Sequence, residues 1–310
     1  MTSRQVDHSN MRSDTSAVAG KEAAASPGRR ATLALAVAAA RYARSPARLA
    51  AQARKSGTAV FAEHLDSLDP TTQARVSQEA DELEADGVAA VLLGSEGYPV
   101  RLSAVRSAPP VLFYTGSPGL LTQPGIGMCG ARTAGEESLR AATACAEVAA
   151  DAGLTVISGY ARGVDVAAHV ATLRAGGGTI VVLPEGIRRF RVKRGAFSDA
   201  WDPTRVLVVS QFSPSQSWNP GGAMARNTVI LGLGLGLVVV AAGENGGTLD
   251  AGLRALEANR PVIALEFAEA PIGNSILLRK GAVPVRSRAA LTEQLAMLGS
   301  DASGNQFSFF

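Results

Sequence analysis

Thr155-Val156-Ile157-Ser158-Gly159-Tyr160-Ala161-Arg162-Gly163-Val164-Asp165 is the stretch whose reading decides the fold. Three β-branched residues make a short buried strand, and glycines then mark a turn. Asp165 can cap or begin the helix that follows, over residues 164–174. A strand that turns at once into a helix is half of a βαβ unit, and the unit recurs on both sides. Apolar strands are expected at residues 89–93, 126–129, 155–157, 179–183, 206–209, 237–240 and 262–265. Helices fall between several of them, at roughly 135–151, 164–174, 222–231 and 248–258. Continuous apolar strands alternating with helices predict an α/β fold, its mostly parallel sheet covered on both faces. Ligands of such sheets sit beyond the carboxyl ends of the strands, so the segments just after each strand are where function is sought.

Composition agrees. Of 310 residues, 46% are hydrophobic but only 5% aromatic, so the core is built from Val, Leu, Ile and Ala. The net charge of +3 tolerates a polyanionic partner without requiring one. Cys129 and Cys145 make neither a disulfide framework nor a metal site, and reduced, cytoplasmic thiols are the expectation. Residues 1–30 are polar and read as a disordered tail, and residues 31–86 as a small helical N-terminal region. Within it, Asp69-Pro70-Thr71-Thr72 starts a helix and Asp86-Gly87 stops it. A connector bracketed by Tyr98-Pro99 and Pro109-Pro110 leads into the sheet domain, read over 87–288, with a C-terminal helix and tail over 289–310. Arg29-Arg30 before the apolar run 31–40 has the look of a twin-arginine leader, but Leu33, Val37 and Leu49 fit an Ala-rich helix. No segment is long enough to span a membrane.

Five loops at strand ends carry candidate chemistry. In the first, Gly130 lets the backbone approach a phosphate and Arg132 offers a fork of donors. The spacing is not that of the dinucleotide fingerprint, and a plain β–α turn is the alternative. The second holds Ser158, Gly159, Arg162 and Gly163, with His169 four residues past Asp165 on the same helix face. No second His or Cys stands nearby, so a structural bond to Asp165 is the expected role of His169. The third is basic with one aromatic, Arg188, Arg189, Phe190, Arg191 and Lys193 among them, which fits phosphate contacts plus base stacking, or a solvated loop. In the fourth, Arg226 can hold a phosphate and Asn227 a base edge, or the pair clamps neighbouring loops. In the fifth, Gly246, Gly247 and Thr248 open a helix and form a nest of backbone donors for an anion. It has no P-loop lysine, so ATP hydrolysis is not expected.

In order along the chain, Gly130-Ala131-Arg132, Ser158-Gly159-x-Ala161-Arg162-Gly163-Val164-Asp165 with His169, Arg226-Asn227, Gly246-Gly247-Thr248 and Gly273-Asn274 resemble the signature of the DNA-processing protein A (DprA, or Smf) family. The lead-in Tyr98-Pro99-x-x-Leu102 is similar too. The resemblance covers about residues 86–285 and departs at Thr228, where a second arginine is usual, and at Ala241, where an acid is. It implies an extended Rossmann-like domain that binds single-stranded DNA without catalysis and without a cofactor. By the same resemblance the chain protects incoming strands during transformation, helps load the RecA recombinase and forms a homodimer. A further departure is expected in the lack of room after the sheet for the winged-helix-like domain many members carry. Arg132, Arg162 and Arg226 would face phosphates, and the glycine loops would form a nucleotide pocket. Two other functions use the same residues. One is a nucleotide sensor of a defence system. The other is a nucleotide phosphoribohydrolase, for which Glu244 and Asp250 are only loosely placed as acid–base groups.

Overall fold

The computed structural model describes residues 28–304. The disordered-tail reading of residues 1–27 and the Phe-rich end at 306–310 lie outside the described residues. Four helices come first, α1 (Arg29–Tyr42), α2 (Pro46–Ser56), α3 (Ala59–Asp66) and α4 (Pro70–Ala85). Ser45 and Asp69 cap α2 and α4 by accepting from the N–H of Arg48 at 3.2 Å and of Thr72 at 3.0 Å, each with proline at the first helical position. Helix α1 begins at Arg29, inside the stretch read from sequence as tail. Its two arginines are engaged: Arg29 donates to Val88 O and Arg30 pairs with Asp81. Leu33, Ala36 and Val37 of α1 are completely buried and share one core with the sheet, so the helical region packs as part of the same body.

The rest runs β1 (Ala89–Leu92), α5 (Val100–Ser103), β2 (Val111–Gly116), β3 (Gly125–Gly130), α6 (Glu136–Asp151), β4 (Thr155–Ser158), α7 (Val164–Arg174) and β5 (Thr179–Val182). Then follow α8 (Arg194–Phe197), β6 (Val206–Ser210), α9 (Pro220–Leu233), β7 (Leu237–Ala241), α10 (Gly247–Glu257), β8 (Val262–Leu265), α11 (Ile272–Arg279), β9 (Val283–Val285) and α12 (Arg288–Gly304). Among the described residues nine strands form one sheet, in the order β1-β2-β6-β5-β4-β3-β7-β8-β9. From β6 to β9 every pairing is parallel, while β2 pairs antiparallel with both β1 and β6. Leu237 and Val239 face one side of the sheet and Val238 and Val240 the other, each buried under helices. No described helix is long and apolar enough to cross a membrane.

Two strands escape the sequence reading. β2 begins directly after the Pro109-Pro110 pair, and the sequence reading places no strand there. β9 is three residues long with a proline at its centre, which argues against a strand by composition. α9 starts two residues earlier than expected, because Asn219 accepts from the N–H of Gly222 at 2.7 Å and Pro220 sets the first turn.

Candidate nucleic-acid interface

From β3 the chain winds through β4, β5 and β6 to one side, then returns to β7 on the other flank of β3. The crevice above β3 and β7 is therefore the topological switch point, where open α/β sheets bind ligands. Two connected lobes of a cleft open there. The first, about 570 Å³, is lined by the loops after β3 and β7 and by the inward face of α9. That size falls within the range of small-ligand sites, about 300–1,000 Å³. The second, about 480 Å³, lies over the loops after β4 and β5. Both lobes share Arg132, Ala161, Trp218 and Arg226.

Arg226 forms the floor. It is 8% exposed, and its Nε is buried with no hydrogen-bond partner. Its guanidinium lies directly on the backbone of Gly159, where a Cβ would stand 1.1 Å from Nη1. No residue but glycine leaves that space. Asp165 is buried beside it, and its carboxylate accepts from the N–H of Ala161 at 3.2 Å. Burial pushes the Asp165 carboxyl above the usual carboxylate range, against the opposing pull of Arg226 and of that N–H. Burial likewise lowers the pKa of Arg226, with Asp165 pulling the other way. A buried guanidinium nitrogen without a hydrogen bond is costly even beside a countercharge, and an anion entering the cleft can bond the group.

The second lobe is cationic. Arg132, Arg162, Arg189, Arg191, Lys193 and Arg226 line it against one acid, Glu185. Lys193 Nζ donates to Tyr160 O and stands 4.1 Å from the Tyr160 ring centroid. Burial lowers the pKa of this lysine. Tyr160 takes φ 64°, a strained left-handed backbone for an aromatic residue, and packs in tilted contact with Phe190 at 5.3 Å and Phe197 at 5.8 Å between ring centroids. That packing sets the shape of the loop after β4.

The sequence candidates divide accordingly. Gly130, Arg132, Asn227, Gly247 and Thr248 line the first lobe, and Gly159, Arg162, Arg189, Arg191 and Lys193 the second. Thr248 spends its hydroxyl on the protein, donating to Gly130 O at 3.1 Å and so tying the two loops of the switch point together. The start of α10 still leaves backbone N–H groups without helical acceptors. Four candidates do not join the cleft. Arg188 turns away to Glu82 at 2.9 Å and Asp86 at 3.5 Å, because the 3₁₀ turn at Ile187–Arg189 aims it at α4. Ser158 is fully buried and donates to Met128 O at 2.7 Å, joining β4 to β3. Gly163, at φ 77°, has Ala131 O where a Cβ would be, so it serves close packing of two loops. Gly246 caps α10 and does not line the lobe.

His169 also differs from expectation, bonding Thr179 rather than Asp165. Thr179 Oγ1 donates to Val156 O at 2.7 Å, so His169 Nδ1 carries the proton it gives to Thr179 at 2.7 Å. Burial, with Lys193 and Arg226 adding to it, lowers the pKa of the imidazole to about 3. Asn274 shapes the cleft from behind. It is buried, accepts from the N–H of Ala242 at 2.7 Å, and donates to Val240 O at 2.9 Å and Leu265 O at 2.8 Å. Trp218 lies outside the five loops singled out from sequence; its signal was an aromatic alone in the polar run Gln216-Ser217-Trp218-Asn219. Among the described residues, no group of three or more His, Cys, Asp or Glu is arranged to hold a metal ion.

A doubly covered parallel sheet whose switch point carries glycine loops around a buried arginine defines a Rossmann-type binding domain. The sequence profile of DNA recombination-mediator protein A matches residues 89–296, and the chain belongs to that family. It is 33% identical over 168 residues to DNA processing protein DprA of Streptococcus pneumoniae, covering 54% of this chain and 59% of that protein. It is 32% identical over 211 residues to Protein Smf of Escherichia coli, covering 65% of this chain and 55% of that protein. The chain thus spans less than two thirds of either relative. The X-ray structure of the Streptococcus pneumoniae protein superposes with a TM-score of 0.64 at 29% identity, over 79% of this chain and 86% of that one. The Helicobacter pylori DNA processing protein A, described for its single-stranded DNA binding mode, shares the fold with a TM-score of 0.60 at 21% identity, over 68% of this chain and 96% of that one.

Proposed function

We propose that this chain binds single-stranded DNA along the carboxyl edge of its sheet and acts in DNA uptake and recombination as a binding protein, not an enzyme. The observation that carries the proposal is the cleft floor: Arg226 is buried with its Nε bonded to nothing, and the adjoining lobe sets six cations against one acid. Phosphates spaced along a strand satisfy both. A binding role rather than a catalytic one is supported by the carboxylates. Asp250 is paired with Arg254 at 2.7 Å, Glu244 does not line the cleft, and Asp165 is held by Ala161 against Arg226. Strand protection, delivery to a RecA-type recombinase, a homodimer and a cytoplasmic setting complete the proposal, drawn from the family.

Fluorescence anisotropy with a labelled oligothymidine at modest salt tests it. Binding that weakens steeply with salt, and falls at least tenfold in Arg132→Ala plus Arg162→Ala, is the expected result. Absent binding, or binding indifferent to both substitutions, contradicts it. A small nucleotide in the glycine-lined lobe is the second reading, favoured by that lobe's volume. Thermal shift with a nucleotide panel separates the two.

A further inference from the structure

The chain has two tryptophans, and they are placed in opposite ways. Trp201 packs into an aromatic cluster, 5.7 Å from Phe190 and 5.2 Å from Phe197. Trp218 is 48% exposed and stands on the ridge where the two lobes of the cleft meet. It directly precedes Asn219, the cap of α9. An apolar residue there often closes over the fourth residue of the helix. Here that residue is Ala223, too small to cover an indole. The ring is therefore left open to the cleft although its backbone is fixed from both sides. On one side is the capped start of α9. On the other, Arg189 donates to Ser217 Oγ at 3.1 Å and Ser215 O at 3.3 Å, and Gly186 N–H to Gln216 O at 2.9 Å. The guanidinium carbon of Arg132 lies 6.0 Å from the Trp218 ring centroid, placing a phosphate-binding group beside the ring.

We propose that Trp218 is a stacking platform for an unpaired base, and so gives the cleft a preference for strands that carry bases over bare sugar–phosphate. The inference rests on the single-strand reading above. Charge separates the lobes: the second is dominated by cations, while the first has only Arg132 and Arg226 against Asp165, with apolar Met224 and Ile230. A strand whose phosphates follow the cationic lobe brings a base to Trp218, facing the less charged lobe. Asn227 and Asn245 offer donors and acceptors to a base edge there. Every base has a π-face, so the contact tolerates sequence.

The test compares a labelled oligothymidine with an abasic strand of equal length and charge, using the full chain. The wild type is expected to bind the thymidine strand about tenfold more tightly. Trp218→Ala should bind both strands alike, at the wild type's abasic level, and Trp218→Phe should restore most of the preference. Equal binding of both strands by the wild type, or a preference that survives in Trp218→Ala, overturns the stacking role and leaves the phosphate grip standing. Failure of the wild type to bind either strand overturns the single-strand reading together with it.

Discussion

Replacing Gly159 with alanine should cost binding without costing the fold. Gly159 uses no left-handed backbone, so alanine is sterically allowed at the position itself. Its Cβ, however, would stand 1.1 Å from Arg226 Nη1 and 1.9 Å from Cζ. The guanidinium must retreat by about 2 Å to reach van der Waals distance. The loss is then that of a charge-assisted bond to a phosphate, about 1.5–3 kcal/mol, or about ten- to a hundredfold in affinity. Against the fold, the guanidinium is the mobile end of a long side chain, and alanine restricts the unfolded chain by about 0.4–1 kcal/mol. Stability should therefore stay within about 1 kcal/mol of wild type. Anisotropy with oligothymidine and a thermal melt of the same samples read both quantities. Arg226→Met should bind equally weakly but melt lower than wild type, since it leaves the buried Asp165 carboxyl without its countercharge. A folded Gly159→Ala that binds like wild type refutes the reasoning.

Acid should destabilise the fold through His169. Its folded pKa is about 3, so the folded chain stays unprotonated there while the unfolded chain takes up a proton below about 6.5. Stability is then lost as pH falls from 6.5 toward 3, by up to about 1.4 kcal/mol per pH unit. Asp165, with its pKa raised, contributes the opposite slope over its own range. His169→Asn should flatten the melting temperature between pH 6.5 and 4, and an unchanged slope would assign the acid sensitivity elsewhere. Arg188→Ala should leave strand affinity within about twofold and lower stability by no more than about 1 kcal/mol, because the side chain pairs with Glu82 and Asp86 near the surface. A tenfold loss of affinity would move it into the interface. Asn274→Ala removes three buried hydrogen bonds and should cost roughly 2–4 kcal/mol, a drop of about 5–15 °C in melting temperature. A drop of only a degree or two would show that water replaces the amide.

The parallel part of the fold was legible because buried parallel strands write themselves as apolar runs, and residues 262–265 were placed to the residue. β2 and β9 were not, since prolines beside or within them override the apolar signal. Much of the cleft could also be read, because ligands of open α/β sheets sit beyond the carboxyl ends of the strands and the glycines and arginines there are placed by that rule. What sequence does not carry is direction. Arg188, Arg189 and Arg191 are nearly adjacent, yet one faces α4 and two face the cleft, and only the turn geometry separates them. The same holds for Arg226, whose burial depends on Gly159, 67 positions away. Thr179 took His169 from Asp165 because β5 lies beneath α7, a contact set by sheet order.

A crystal structure of the chain with a short oligothymidine tests the central claim most directly. The account predicts the strand across the carboxyl ends of β3, β4 and β7, with a phosphate oxygen within hydrogen-bond reach of Arg226 or Arg132. A strand bound on the opposite edge of the sheet, with no phosphate at Arg226 or Arg132, would contradict it.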